Sequence, residues 1–100
     1  MEKPSMLPEP WYFTDQDLSQ QLQIELHNDH ILKGENTITV ACRQDNDDVL
    51  FEMDNGKYSV VHLTWQNHPH KNTAFPITKI YSDWQSVIEN RILPDAKEFY

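Results

Sequence analysis

Five histidines and a concentrated set of carboxylates are the side chains of this sequence with the most obvious chemistry. The histidines are His27, His30, His62, His68 and His70. A zinc site needs His, Cys or carboxylate donors converging in a tetrahedron. His68-Pro69-His70 offers two such donors, but no Cys pair and no His-Glu-x-x-His helix accompanies them, so a solvated loop is the plainer reading. His27 and His30 lie near an expected helix end, where a cationic imidazole favours the helix dipole. His62 differs from these, because it sits among apolar residues of a β-rich segment. It is expected on a core face opposite Val49, either packed with one ring nitrogen hydrogen-bonded or serving as a general base.

The acids Asp45, Asp47, Asp48, Glu52 and Asp54 fall within a stretch that contains no Lys or Arg. Asp45-Asn46-Asp47-Asp48 does not make a calcium loop. That motif needs acids at alternating positions, a glycine sixth and a glutamate twelfth, and the sixth position here is Leu50. Two readings remain, a solvated loop that protects a sheet edge and a surface that steers a basic partner. Leu50, Val61, Leu63 and Trp65 share one face of an expected hairpin. They form core if a helix covers them and an interface with an aromatic anchor if none does. The expected partner-binding residues are therefore Asp45, Asp47, Asp48, Glu52, Asp54 and Trp65. No catalytic residue, metal ligand or cofactor is assigned. Gly34 and Gly56 are the only glycines, which excludes a Gly-rich phosphate loop and a Gly-x-Ser-x-Gly elbow. Cys42 lies mid-strand, where burial makes a thiol inert.

The elements that must position these groups follow from periodicity and turn chemistry. Pro4, Pro8 and Pro10 make residues 1–10 a flexible lead-in, and residues 11–100 one domain. Thr14 and Asp17 form a capping-box-like start to a helix. Leu18, Leu22 and Leu26 give it an apolar stripe, and it should end near His27 to Asp29. Residues 37–43 alternate and are β-branched, with Ile38, Val40 and Cys42 on one face. Residues 49–53 and 58–65 flank Asn55-Gly56, the signature of a two-residue type I′ hairpin. That turn would pair Met53 with Tyr58, Phe51 with Val60 and Val49 with His62. Residues 77–81 are a further candidate strand. Ser82 and Gln85 open a second helix carrying Trp84, Val87, Ile88 and Ile92, which Pro94 is expected to stop. The fold class is α+β: an N-terminal helix, an antiparallel meander of three or four strands, and a C-terminal helix.

The chain has 100 residues, enough for one domain, and 11% aromatics, enough bulky apolar area to argue against disorder. Its net charge of −8 disfavours nucleic acid and anionic membrane and allows a basic protein partner or mere solubility. One cysteine permits no intrachain disulfide, and the N-terminus has no signal-peptide pattern, so the cytoplasm is the expected compartment.

Asp47-Asp48-Val49-Leu50-Phe51 with Val60-Val61-His62-Leu63-Thr64-Trp65, continuing to Pro76-Ile77-Thr78, Tyr81 and Trp84, resembles a family of small bacterial proteins of uncharacterised function. The resemblance spans residues 20–95 in outline and implies a shared fold and a bacterial cytoplasmic setting; it carries no catalytic residue. In size, charge and architecture the chain also resembles immunity proteins, which occlude basic toxin domains. The expected function is thus a non-enzymatic, acidic protein-binding module of immunity or antitoxin type. A small hydrolase or metal-dependent enzyme built on His62 with His68 or His70 is one alternative. A homo-oligomeric accessory protein that self-associates through the Trp65 patch is the other.

Overall fold

A computed structural model describes residues 3–99. It shows an α+β fold in which one antiparallel sheet of five strands runs in chain order, β1 (Trp11–Phe13), β2 (Thr37–Arg43), β3 (Asp48–Met53), β4 (Tyr58–His62) and β5 (Thr78–Tyr81). Helix α1 (Ser19–Glu25) covers one face. A helical run made of α2 (Trp84–Val87), a π-helical segment (Ile88–Ile92) and α3 (Leu93–Phe99) covers the other.

The start of the chain departs from expectation. The strand β1 precedes the helix, and Thr14 extends its pairing through a bond from its N–H to the carbonyl of Val40. Thr14 Oγ1 and Asp17 Oδ1 accept from Gln16 N and Ser19 N, two short local turns rather than one capping box. The helix begins only at Ser19, where β2 receives it: Leu18 N donates to Thr39 Oγ1 and Ser19 Oγ to the Thr37 carbonyl. Tertiary bonding to β2 thus overrides the local start signal. Within the proline-rich lead-in, Leu7 and Pro10 are buried, Leu7 in the core beside Trp11. Met1 and Glu2 lie outside the described residues.

The hairpin forms where expected, with a different loop. Met53 N donates to the Lys57 carbonyl and Gly56 N to the Met53 carbonyl, so Met53 and Lys57 close a three-residue loop. Gly56 takes φ +81° while Asn55 stays at negative φ, as in a type I turn followed by a left-handed glycine. Register moves by one residue: Phe51 pairs with Ser59, Leu50 with Val60, Val49 with Val61 and Asp48 with His62. Because side chains alternate, that single step moves every β4 side chain to the other face. Phe51, Val49, Val61 and Leu63 therefore pack under α1 with Leu22 and Leu26, whereas Leu50, Tyr58 and Val60 pack against Trp84, Val87 and Ile92. The expected Leu50–Val61–Leu63–Trp65 patch does not exist as one surface. Leu50 lies on one face and Val61 and Leu63 on the other, all three fully buried, and only Trp65 is exposed. A register shift between Thr39 and Ala41 breaks the alternation of β2, so Ile38 is exposed and Cys42 is buried under α1.

The C-terminal run also differs. Its cap is Asp83, whose carboxylate accepts from Ser86 N, and it passes through Pro94 instead of stopping there. The wide turn just before makes this possible: Leu93 N bonds the Ile88 carbonyl five residues back. A proline in a regular helix lacks its N–H and clashes with the carbonyl four residues earlier, and a π turn relieves that crowding. Among the described residues no helix is long and apolar enough to cross a membrane.

Candidate functional site

Two polar clusters occupy the end of the sheet where β2 runs into β3 and β4 ends. The first is centred on Glu25, in the last turn of α1 and fully buried. Its Oε1 accepts from Thr64 N at 2.9 Å and Thr64 Oγ1 at 2.7 Å; Oε2 accepts from Trp65 N at 2.9 Å and Gln21 Nε2 at 2.8 Å. His70 Nε2 stands 3.4 Å from Oε1 and 3.0 Å from Thr64 Oγ1, and His70 N donates to the Glu25 carbonyl. Burial alone would raise the Glu25 carboxyl; the donors from Gln21, Thr64 and Trp65 more than offset it and hold it below the usual range. Successive N–H groups closing on one anion make a nest, and here the anion belongs to the protein.

The consequence falls on Trp65. Its φ is +64°, in the left-handed region that bulky side chains avoid. The indole is half exposed and donates from Nε1 to Asp47 Oδ1 at 3.1 Å. Trp65 and Asp47 border a cleft of about 150 Å³ beside α1. Tyr12, on the edge strand β1, forms another wall, and Cys42 and Val49 lie next to Tyr12 in register across the sheet. Burial, then proximity to the Cys42 thiol, raises the Tyr12 hydroxyl, and burial raises that thiol in turn.

The second cluster is a chain of opposite charges. Arg43 holds Asp45 by two bonds, Nε to Oδ1 at 2.8 Å and Nη2 to Oδ2 at 2.7 Å. Asp95 Oδ2 receives Arg43 Nη1 at 3.1 Å, Arg91 Nε at 3.0 Å and the Trp11 indole N–H at 2.8 Å. Arg91 Nη2 reaches Asp48 Oδ2 at 2.6 Å, and Asp48 Oδ1 meets His62 Nδ1 at 2.8 Å. The series ties β1, β2, β3 and β4 to the C-terminal run.

The expected binding residues are therefore divided. Asp45, Asp47 and Trp65 lie together and accessible at one end of the sheet. Asp48 is buried and committed to Arg91 and His62. Glu52 lies along β3 beside Lys3, and Asp54, in the hairpin loop at the opposite end, accepts from Asn36. His62 is not on a core face opposite Val49. The one-residue register step places it opposite Asp48, half-exposed. His62, His68 and His70 sit in separate settings, His68 near Gln66 and His70 at Glu25. Among the described residues no three His, Cys, Asp or Glu side chains are grouped to hold a metal ion. Nor do Glu25, His70 and Thr64 form a triad. There the carboxylate holds the ring nitrogen opposite the one facing the nucleophile, whereas Glu25 and Thr64 both face Nε2.

Sequence reasoning missed Glu25, Tyr12, Arg91 and Asp95. A signal for Glu25 was present: it lies three residues after Leu22 and one before Leu26, an acid on the apolar stripe.

Scans of the models of protein families, of curated proteins and of solved structures found no match for this chain.

Proposed function

We propose that this protein is a non-enzymatic, acidic protein-binding module that occludes a basic partner, in the manner of an immunity or antitoxin protein acting in the bacterial cytoplasm. Its docking end is the corner made by Trp65, Asp47, Asp45 and Tyr12. The observation that carries this reading is Trp65. A large indole is held half exposed on a left-handed backbone that glycine adopts freely and tryptophan adopts at a cost of about 1–2 kcal/mol. A fully buried carboxylate is committed to keeping it there. Strain over-determined by its surroundings concentrates at functional positions, and Trp and Tyr are the residues that most often anchor protein interfaces.

The expected acidic mechanism is narrowed to the acids still available. Asp45 and Asp48 already hold guanidinium groups and Glu52 faces Lys3. Asp47 keeps one carboxylate oxygen without a partner among the described residues.

Trp65→Gly separates fold from function. Glycine relieves the backbone, so stability should change by no more than about 1 kcal/mol, while partner binding is lost. The partner is sought by placing a photoreactive benzoylphenylalanine at Tyr12, with one at exposed Ile31 as control, and irradiating whole cells. The reading requires a discrete cross-linked protein of basic composition from position 12 alone, abolished by Trp65→Gly. Equal cross-linking from both positions, or indifference to Trp65→Gly, removes it.

A second reading rests on the Asp48–His62 pair. Asp48 orients the imidazole through Nδ1, and Nε2 has no partner among the described residues, the posture of a general base. No hydroxyl or thiol among the described residues bonds that nitrogen. The pair is also explained by Asp48 joining His62 to Arg91, so the enzyme reading ranks second.

A further inference from the structure

We propose that the cleft between Tyr12 and Trp65 receives one alkylammonium or guanidinium group, carried on a lysine or arginine side chain of the partner; this rests on the docking reading above. Size, walls and charge all bear on it. At about 150 Å³ the cleft is the size of a cavity that takes a benzene ring, so it suits one side chain rather than a helix or strand. Tyr12 on β1 stands two strands from β3, roughly 10 Å. Trp65 reaches the β3 end through its bond to Asp47. Aromatic faces attract cations, tryptophan most strongly, and Leu18, Cys42 and Val49 line the cleft with apolar surface for an aliphatic stem.

Charge favours the same guest. Arg43 also lines the cleft, but its guanidinium is taken by Asp45 and Asp95. Arg91 is taken by Asp48 and Asp95. Three carboxylates thus face two guanidiniums, and Asp47 adds a further negative charge with Oδ2 open. A cation entering between the rings meets that oxygen. An anion meets a surplus of its own sign. Much of the frame is fixed in advance: Trp65 is pinned through its backbone by Glu25 and through its indole by Asp47, and the Tyr12 backbone by strand pairing. Little ordering cost then remains on binding.

The test uses the full chain, isotopically labelled, and follows the Trp65 indole N–H and the Asp47 and Trp65 amides by NMR. The probes are n-butylammonium and n-butylguanidinium, with n-butanol as neutral control and butyrate as anion. The cations should give saturable shifts with half-saturation about tenfold lower than butanol, the combined size of one cation–π contact and one exposed ion pair. Asp47→Asn keeps an acceptor for the indole and removes only the charge; it should cost about half of that advantage, roughly threefold, with the rest of the spectrum unchanged. Tyr12→Leu should weaken both cations severalfold. Butanol matching the cations, butyrate exceeding them, or Asp47→Asn without effect would each overturn the assignment. A cross-link through position 12 without cation binding overturns the side-chain class alone. Cation binding without a cross-link supports the cleft's chemistry and removes the docking reading instead.

Discussion

Glu25 and Asp95 are both carboxylates that gather several donors, and they are held by opposite means. Glu25 is fully buried, and its close donors are the neutral groups of Gln21, Thr64 and Trp65. Asp95 is partly exposed and is held mainly by two guanidiniums, with an indole as the neutral third. Dipoles fixed by the fold do not dissociate and are poorly screened, so the Glu25 arrangement sets local backbone geometry. Guanidinium–carboxylate pairs that keep some access to water are screened more than fully buried neutral donors, and the Asp95 arrangement fastens elements that are otherwise loosely attached. The α3 segment has no buried residue and needs such fastening. One cluster shapes a surface and the other ties on a helix.

The largest expected effect comes from emptying the first cluster. Glu25→Ala leaves the N–H groups of Thr64 and Trp65 and the Gln21 amide without their acceptor. It should cost about 3 kcal/mol or more, read by urea unfolding, and the Trp65 amide should lose hydrogen-exchange protection selectively. Arg91→Met should cost less, about 2 kcal/mol, because Asp48 keeps His62 and Asp95 keeps Arg43 and the Trp11 indole N–H. Raising salt should narrow the gap between wild type and Arg91→Met and leave the Glu25→Ala deficit nearly unchanged. If salt moves both equally, the distinction between the clusters falls.

The pH response separates them further. A carboxyl lowered in the folded state contributes stability above its unfolded value of 4.5 that is lost as pH falls through the folded value. Thermal stability should therefore decline below about pH 4.5, and Glu25→Gln should flatten that limb. His30 adds an earlier decline. Burial lowers its imidazole below 6.5, the Pro76 carbonyl opposes this, and the nearby His70 lowers it further. The unfolded chain then binds a proton that the folded chain resists, so stability falls as pH drops below 6.5 towards the lowered value. His30→Asn keeps an acceptor for Leu32 N and should erase this upper limb alone. The smallest effect is expected at Ser59, whose buried hydroxyl has no hydrogen-bond partner among the described residues. Ser59→Ala should be neutral or stabilising by up to about 1 kcal/mol in the same unfolding assay.

The sheet was legible in the sequence to the extent that its strands had distinct composition and turn chemistry. Residues 37–43, 49–53, 58–65 and 77–81 all contain strands, and Asn55-Gly56 does turn the chain. Register was not legible. Val49-Leu50-Phe51 and Val60-Val61 are apolar on both faces because both faces are covered, so alternation could not separate a two-residue loop from a three-residue one. That ambiguity also misplaced His62. The short β1 escaped because its aromatic triplet reads equally well as a helix lead-in. Asp95 escaped because Pro94 reads as a stop unless the π turn is foreseen. For the candidate site, the acids near residue 47 and Trp65 were visible as types. Their separation into neutralised and open carboxylates depends on Arg43 and Arg91, distant in sequence from some of the acids they hold.

The hairpin loop has a consequence for how such a chain can tolerate changes of length. Removing one residue from Asp54–Gly56 would favour the opposite parity for β4. Tyr58, Val60 and His62 would turn toward α1, while Ser59, Val61 and Leu63 turned toward Trp84 and Val87. The exposed residues 71–74 impose no such parity on β5. Deletions and insertions should therefore be silent at 71–74 and ruinous at 54–56, although both are polar surface turns.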